Sequence, residues 1–321
     1  MQELETLSKI ECLKEKFYPK NYNYYGKFLK NKFDSKVYKI VVDAGFTCPN
    51  RDGSKGFGGC TYCNVDSFTP SQVRAGGTIS EQVERGMERA KSHYKAEKFI
   101  IYFQPNTNTY ASVETLQKHF DEALSVNSSE IVGLSVGTRP DCIDEEKIQL
   151  FKKYSENLNV CLEYGMESMY DETLLKINRG HLHEDFAKAM ELTEGNGIDI
   201  CVHTVFGFPN ETEEQWLKVA DELNKFEIDF VKLHHLHIVK GSKMAWEFKN
   251  NPFPLFTLEG YTNFLCKFLP KLKPEIVVQR LFGISDWDEL IAPNWGMKKT
   301  LIQNYIEKTL EKKNIFQGMD F

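Results

Sequence analysis

The stretch Cys48-Pro49-Asn50-Arg51-Asp52-Gly53-Ser54-Lys55-Gly56-Phe57-Gly58-Gly59-Cys60-Thr61-Tyr62-Cys63 places three cysteines within sixteen residues. The two-residue spacing of Cys60 and Cys63 lets two thiolates reach one metal centre from a single tight turn. Cys48 stands farther back, and the glycines between it and Cys60 allow the bent loop that would bring it to the same centre. Three thiolates are one too few for a closed structural zinc site. They suit a cubane iron–sulfur cluster that leaves one iron open to another ligand.

This cysteine stretch follows the first of six predicted strands, which alternate with helical patterns along the chain. The strands are apolar runs at 37–43, 99–103, 131–136, 160–164, 198–206 and 230–239. Capping boxes at Thr78/Glu81 and Thr212/Gln215 open two of the helices. Such alternation predicts βαβ units and a parallel sheet. Six units are too few for a closed eight-fold barrel, so we expect an α/β fold with a partial (β/α)6 barrel.

Polar segments follow the predicted strand ends, beginning with the cysteine stretch itself. The later ones are 104–110, 137–141, 163–168, 207–211 and 240–242. Because the carboxyl ends of parallel strands meet at one edge of a sheet, we expect these segments to form one shared active site.

Two extensions flank the predicted core of residues 37–250. Residues 1–36 interleave lysines, including Lys27 and Lys30, with aromatic side chains. That mixture suits the backbone and bases of a nucleic acid, but for most of the aromatic side chains we favour packing on the core, and the role of the lysines stays open. Residues 251–321 read as a helix-rich C-terminal extension packed on the core, with a further strand at 275–281 and a lysine-rich last helix that includes Lys298.

The composition is that of an ordinary globular protein. The chain has 321 residues, of which 41% are hydrophobic, and its net charge of −6 is a mark against a nucleic-acid partner. No apolar run approaches the length of a membrane span, and no targeting segment is visible, so we expect a soluble, cytoplasmic protein without membrane contact. The five cysteines outside the stretch are scattered, which favours a reducing compartment over a disulfide framework.

Further blocks resemble the radical S-adenosylmethionine (SAM) proteins of the YhcC/YtqA type, relatives of the radical domain of the Elongator catalytic subunit. Besides the cysteine stretch, they are 104–110, 135–141, 178–181 and Arg280. The resemblance runs from about residue 24 to the last helix. The first cysteine interval is longer than the C-x3-C-x2-C of most radical SAM enzymes, but it resembles this subfamily.

The resemblance implies a 4Fe-4S cluster held by Cys48, Cys60 and Cys63, with SAM on the open iron. Cleavage of SAM by one electron, from a donor such as flavodoxin or ferredoxin, would give a 5′-deoxyadenosyl radical that abstracts hydrogen from a C–H bond. Arg51 and Lys55 would offset the charge of the cluster; solvent-exposed loop charge is the alternative.

The resemblance also implies a set of SAM-binding residues. They are predicted to be Gln104, Thr107, Asn108, Ser135, Glu163, Arg179, Gly207 and Glu211. Glu163 interrupts an apolar strand, and a buried carboxylate needs a partner that ribose hydroxyls would provide. Arg179 could bind the methionine carboxylate through two hydrogen bonds. The alternatives are a polar turn at 107–109, an ion pair on a helix surface for Arg179, and a plain strand-to-helix turn at Gly207.

The substrate implied by the resemblance is tRNA. The expected reaction belongs to wobble-uridine modification, the maturation of 5-carboxymethylaminomethyluridine to 5-aminomethyluridine. Candidate contacts to substrate or tRNA are Lys27, Lys30, Lys55, His235, His237, Lys240, Arg280 and Lys298. Two alternatives stay open: a radical SAM enzyme acting on a small metabolite or protein, and a non-catalytic iron–sulfur or zinc protein. A second metal site at His234, His235 and His237 lacks an acidic or cysteine partner at ligand spacing, so core or substrate-facing histidines are favoured.

Overall fold

The computed structural model describes residues 2–321, excluding the side chains of residues 2–7 and of Gln72; Met1, at the start of the predicted N-terminal extension, lies outside the described residues. Its strands, in chain order, are β1 (Val37–Val42), β2 (Lys98–Phe103), β3 (Ile131–Thr138), β4 (Asn159–Glu167), β5 (Asp199–Phe206), β6 (Phe230–His235), β7 (Ile238–Val239), β8 (Val277–Arg280) and β9 (Leu290–Ala292).

Helices alternate with the strands and also stand at both ends of the chain, with α1 and α2 before β1 and α12 after β9. They are α1 (Gln2–Phe17), α2 (Tyr25–Phe33), α3 (Ser71–Arg74), α4 (Ile79–Tyr94), α5 (Val113–Ser125), α6 (Glu145–Ser155), α7 (Asp171–Lys176), α8 (His183–Thr193), α9 (Glu213–Leu223), α10 (Lys243–Asn250), α11 (Leu258–Phe268) and α12 (Lys299–Lys312). Both predicted capping boxes form: Thr78 accepts from the backbone of Glu81, and Thr212 accepts from that of Gln215. These caps satisfy backbone donors that would otherwise lack partners at the helix start.

The main sheet is parallel throughout, in the order β1-β2-β3-β4-β5-β6-β8, and it curls into a partial barrel as predicted. The structure adds a seventh strand, because β8 from the C-terminal extension pairs with β6. The predicted sixth strand at 230–239 is wrong in one respect. It ends at His235, and Ile238–Val239 leave the main sheet to pair antiparallel with β9.

An apolar plug fills the amino-terminal end of the barrel interior. It consists of Cys161, Cys201, Phe230 and Val277, packed against Tyr25 and Phe28 of α2. The rings of Tyr25 and Phe28 lie 5.4 and 4.9 Å from that of Phe230. These two aromatic side chains therefore pack on the core and are not available to stack on bases.

The N- and C-terminal extensions contact each other as well as the core. The backbone of Asn23 donates to the Gln317 side chain and accepts from the amide of Val278 in β8. Leu13 and Phe17 of α1 pack with Phe316. Within residues 2–321, no helix is both long and apolar enough to cross a membrane.

Candidate active site

The cysteine loop, residues 48–63, is an ordered structure that follows β1. The Cys63 amide donates to the Cys60 carbonyl at 3.0 Å, which forms the predicted tight turn. The Cys48 carbonyl accepts a hydrogen bond from the Arg51 amide at 2.8 Å, and the Asn50 carbonyl accepts one from the Gly59 amide, also at 2.8 Å. All three cysteines line one cavity at the carboxyl ends of the strands, so the structure brings Cys48 to the other two.

Cationic and amide donors point at the cysteine sulfurs. Arg51 Nη2 lies 3.4 Å from Cys63 Sγ, and Arg179 Nη1 lies 3.7 Å from Cys60 Sγ. The buried Asn50 amide also approaches Cys60 Sγ, at 3.7 Å. Burial, followed by the neighbouring Cys60, raises the pKa of Cys63 to about 11, while Arg51 opposes that rise. The Cys63 thiol therefore needs more positive charge than Arg51 supplies in order to ionise, and a bound metal centre would provide it.

A chain of ion pairs and hydrogen bonds fixes the cysteine loop to the ends of β3 and α7. Lys55 Nζ contacts Asp141 at 2.5 Å, and Asp141 accepts two 2.9 Å bonds from Arg139. Arg139 in turn donates to the Arg179 carbonyl at 2.6 Å. These guanidinium bonds hold the pKa of Asp141 at about 2, against a burial that would raise it. Lys55 therefore anchors its own loop through an ion pair with Asp141. The sequence analysis did not identify Asp141 as the residue that joins Lys55 and Arg139.

The cavity is continuous from the cysteine loop into the barrel interior. Of the predicted site residues, it is lined by Cys48, Cys60, Cys63, Gln104, Thr107, Glu163, Arg179, His235, His237 and Arg280. Gly137 and Gly165 also line it, and a Cβ at Gly165 would lie 2.5 Å from the Glu167 carboxylate and 2.6 Å from the Arg179 guanidinium. The prediction of one shared site at the strand ends is therefore consistent with the cavity.

Four residues predicted to bind SAM do not line this cavity in the described part of the chain: Asn108, Ser135, Gly207 and Glu211. The buried Asn108 amide donates to the carbonyls of Phe103 and Gly137, at 3.1 and 2.9 Å, and so joins the ends of β2 and β3. Glu211 accepts from Ser168 and from the Trp216 indole. At Gly207, φ is +100°, and an added Cβ would lie 3.1 Å from the Phe256 ring.

A buried charged layer, formed by Lys39, Tyr102, Ser135, Glu163, His203 and Lys232, crosses the interior above the apolar plug. Glu163 Oε1 accepts from Lys39 at 2.6 Å, and its Oε2 accepts from Lys232. Burial raises the pKa of Glu163, but Lys232 and Lys39 more than reverse this and hold it well below its usual value. The sequence analysis expected ribose hydroxyls as the partner that a buried carboxylate needs. Lys39 and Lys232 already fill that need, so the burial of Glu163 is not evidence for a contact with ribose.

The histidines do not form a metal site with the acidic groups of the described residues. His235 and His237 contact each other through their Nε2 atoms at 2.8 Å, and His235 stacks on Trp295 at 4.1 Å. Apart from the cysteine loop, Glu163, Cys201 and His203 form a candidate donor group in the described chain, but Lys39 and Lys232 already bind that carboxylate. Burial and the Arg280 charge lower the pKa of His237 to about 4, so its ring is neutral at pH 7.

Two of the five lysines predicted to contact substrate or tRNA, Lys27 and Lys55, are engaged within the protein. Lys27 donates to the carbonyls of Lys16 and Tyr18 at the end of α1. Lys39, which follows the lysine-rich N-terminal extension, is buried in the charged layer and cannot reach tRNA. Lys30, Lys240 and Lys298 are exposed.

Comparison with known families gives two matches that together span most of the chain. Residues 48–223 match the radical SAM superfamily, and residues 228–312 match the radical SAM C-terminal domain. The first match contains the cysteine loop, four of the seven parallel strands (β2 to β5) and the helices as far as α9.

Individual relatives agree with the family match. The chain is 30% identical to YtqA of Bacillus subtilis over 302 residues, covering 94% of this chain and 93% of YtqA. It is 26% identical over 211 residues to a tRNA uridine(34) acetyltransferase of Methanocaldococcus infernus, covering 63% of this chain and 38% of that protein. The solved structure of archaeal Elp3 from M. infernus shares the fold, with a TM-score of 0.67 at 20% identity, over 88% of this chain and 64% of Elp3.

Proposed function

This chain belongs to the radical SAM superfamily, and we propose that Cys48, Cys60 and Cys63 hold its 4Fe-4S cluster and that its substrate is tRNA. The cofactors of the family, the cluster and SAM, supply hydrogen-atom abstraction from unreactive C–H bonds. One observation carries the assignment of the cysteines: all three line a single cavity, with Arg51 and Arg179 directed at their sulfurs.

The residues around the cysteine loop would position the cofactors and exclude water. Arg51 and Arg179 would stabilise the negative charge of the cluster through hydrogen bonds to sulfur, which is one way in which a protein adjusts a cluster's reduction potential. Gln104 and Thr107 line the same end of the cavity and would contact SAM. Glu167 also lies there, 3.5 Å from Arg179, and is a further candidate that the sequence analysis did not select.

For the substrate we favour wobble uridine of tRNA and the conversion of 5-carboxymethylaminomethyluridine to 5-aminomethyluridine. The similarity to a tRNA uridine(34) acetyltransferase supports a tRNA substrate. The exposed lysines Lys30, Lys240 and Lys298 are candidate contacts to phosphates. The interior end of the cavity, lined by His237 and Arg280, would receive the modified base.

A small metabolite or a protein is the second candidate substrate. The net charge of −6 and the ion pairing of several N-terminal lysines favour it. Filter binding to bulk tRNA over a salt series separates the two candidates. A tRNA enzyme binds at low salt and loses affinity steeply as salt rises, whereas the absence of binding at low salt would exclude the tRNA proposal.

Nucleoside mass spectrometry of tRNA tests the proposed reaction. A strain lacking this protein should accumulate 5-carboxymethylaminomethyluridine and lose 5-aminomethyluridine and its derivatives. Complementation with the wild-type chain should restore the pattern, and a Cys63→Ala chain should not. An unchanged nucleoside profile in the deletion strain would refute this reaction and leave the cluster assignment standing.

A further inference from the structure

Arg280 is a cation without a partner inside the cavity. Within residues 2–321 its side chain has no hydrogen bond and no ion pair, although it is only partly exposed and lines the same cavity as the cysteines. Interior guanidinium groups normally have a carboxylate or several acceptors, since an unpaired buried charge is costly. The free guanidinium therefore points to an acceptor that is not part of the protein.

A β-bulge directs Arg280 to this position. Val278 of β8 lies opposite Val231 of β6, but Lys232 lies opposite Arg280, so Gln279 is an extra residue in β8. Bulges of this kind re-aim side chains and are common beside active sites. Here the bulge sets two cations opposite each other on neighbouring strands, an arrangement that is destabilising by itself.

The charge around Arg280 is positive and only partly compensated. Lys39 and Lys232 share the single carboxylate of Glu163 in the charged layer, and Arg280 is a third cation nearby. The neighbouring ring of His234 carries no compensating charge, and its buried Nε2 atom lacks a hydrogen-bond partner in the described chain. An anion entering this end would thus meet a net positive potential and unpaired nitrogen atoms.

We propose that this end of the cavity is an oxyanion subsite in which Arg280 binds an anionic group of the substrate. The inference rests on the proposed function for the identity of the substrate, and it adds the chemistry by which the substrate is held. A guanidinium forms two parallel bonds to a carboxylate or a phosphate. A carboxylate fits better, because it is a terminal group that enters a half-buried pocket end-on, whereas a phosphodiester continues on both sides.

The subsite is tested with acetate, dimethyl phosphate and acetamide as probes. Saturation-transfer NMR of each methyl signal is recorded on the full chain, anaerobically reconstituted with its cluster and saturated with SAM, so that the open iron is occupied. We expect saturable binding of acetate, weaker binding of dimethyl phosphate, and none of the neutral acetamide. In Arg280→Gln, acetate affinity should fall about tenfold or more, as expected when a charge-assisted hydrogen bond is lost.

Arg74→Gln is the matched control. Arg74 pairs with Asp286 at 2.8 Å and does not line the cavity, so this variant should bind acetate like the wild type. Binding of dimethyl phosphate in preference to acetate would support the subsite and assign it to a backbone phosphate. Equal binding of acetate and acetamide, or unchanged acetate affinity in Arg280→Gln, would overturn the proposal. If Arg280→Gln fails to fold, the contrast between acetate and acetamide in the wild type still decides.

The two proposals fail separately. Specific acetate binding together with an unchanged tRNA nucleoside profile in the deletion strain would leave the subsite and remove tRNA as the substrate. A changed nucleoside profile without acetate binding would leave the tRNA reaction and remove the subsite.

Discussion

Replacing Glu163 by glutamine should strongly destabilise the protein, because Glu163 is the one carboxylate that compensates two buried lysines. Its side chain is fully buried, and its oxygens bind Lys39 at 2.6 Å, Lys232, and His203 at 2.9 Å. A glutamine keeps the shape of the side chain but removes its charge. Lys39 and Lys232 would then be left in the interior without a counter-ion.

The size of the effect follows from the burial of this network. Removing one partner of a buried ion pair costs about 3–5 kcal/mol, since the other charge stays desolvated and unpaired. Glu130→Gln is the matched control. Glu130 binds Lys91 at the same 2.6 Å distance, but on the surface, where its side chain is 34% exposed. A surface pair contributes about 0–1 kcal/mol.

Urea unfolding followed by circular dichroism measures both variants at pH 7. We expect the unfolding midpoint of Glu163→Gln to fall well below those of the wild type and of Glu130→Gln. Adding Lys232→Met to Glu163→Gln should recover part of the loss, because it removes one of the uncompensated charges. If Glu163→Gln is no less stable than Glu130→Gln, the charged layer does not stabilise the fold in the way described.

The same carboxylate makes the wild type sensitive to acid. Lys232 and Lys39 hold the pKa of Glu163 well below its usual 4.5 in spite of burial. Its ionisation therefore contributes stability above about pH 4.5, and this contribution is lost as the pH falls towards the folded pKa. Glu163→Gln should lack this part of the acid dependence.

Three further predictions concern the cysteine loop. Cys63→Ala should lose bound iron, the visible absorbance of the cluster and the formation of 5′-deoxyadenosine from SAM under dithionite. The control Cys266→Ala changes a cysteine of the hydrophobic core and should retain all three. Iron retained in Cys63→Ala would refute the ligand assignment. Arg179→Gln should make the cluster's reduction potential more negative, since a cation 3.7 Å from Cys60 Sγ stabilises the reduced form, and a redox titration followed by EPR should show the shift. Arg139 and Lys55 hold the pKa of Asp141 at about 2, although burial would raise it. The ionised Asp141 therefore stabilises the wild type above about pH 4, and this contribution is lost as the pH falls towards 2. Asp141→Asn should lack it, and equal acid unfolding curves for the two proteins would contradict this.

Local patterns were predictable from the sequence because the physical causes are local. Both capping boxes form where Thr78 and Thr212 indicated them, since a cap depends on residues within one helical turn. The Cys60–Cys63 turn likewise depends on neighbouring residues. The alternation of strands and helices predicted the partial barrel, although it did not reveal that β8 would join the sheet.

Long-range partners were not predictable in this way. Lys39 lies in the first predicted strand, where no neighbouring residue indicates its partner, yet it binds a carboxylate 124 positions along the chain. Lys55 was expected to offset the charge of the cluster or to contact substrate, yet it pairs with Asp141 at the end of another strand. Such contacts depend on how far the sheet curls and which side chains then share its interior, and neither is encoded in a pattern of neighbouring residues.

The sequence by itself determined the cysteine loop, the parallel α/β architecture and the family. Spacing and periodicity suffice for these, because they express the reach of a tight turn and the repeat of strands and helices. Only the tertiary structure decided what surrounds the cysteines. The curl of the sheet buries Glu163 between two lysines, and a one-residue bulge in β8 turns Arg280 into the cavity that begins at the cysteine loop.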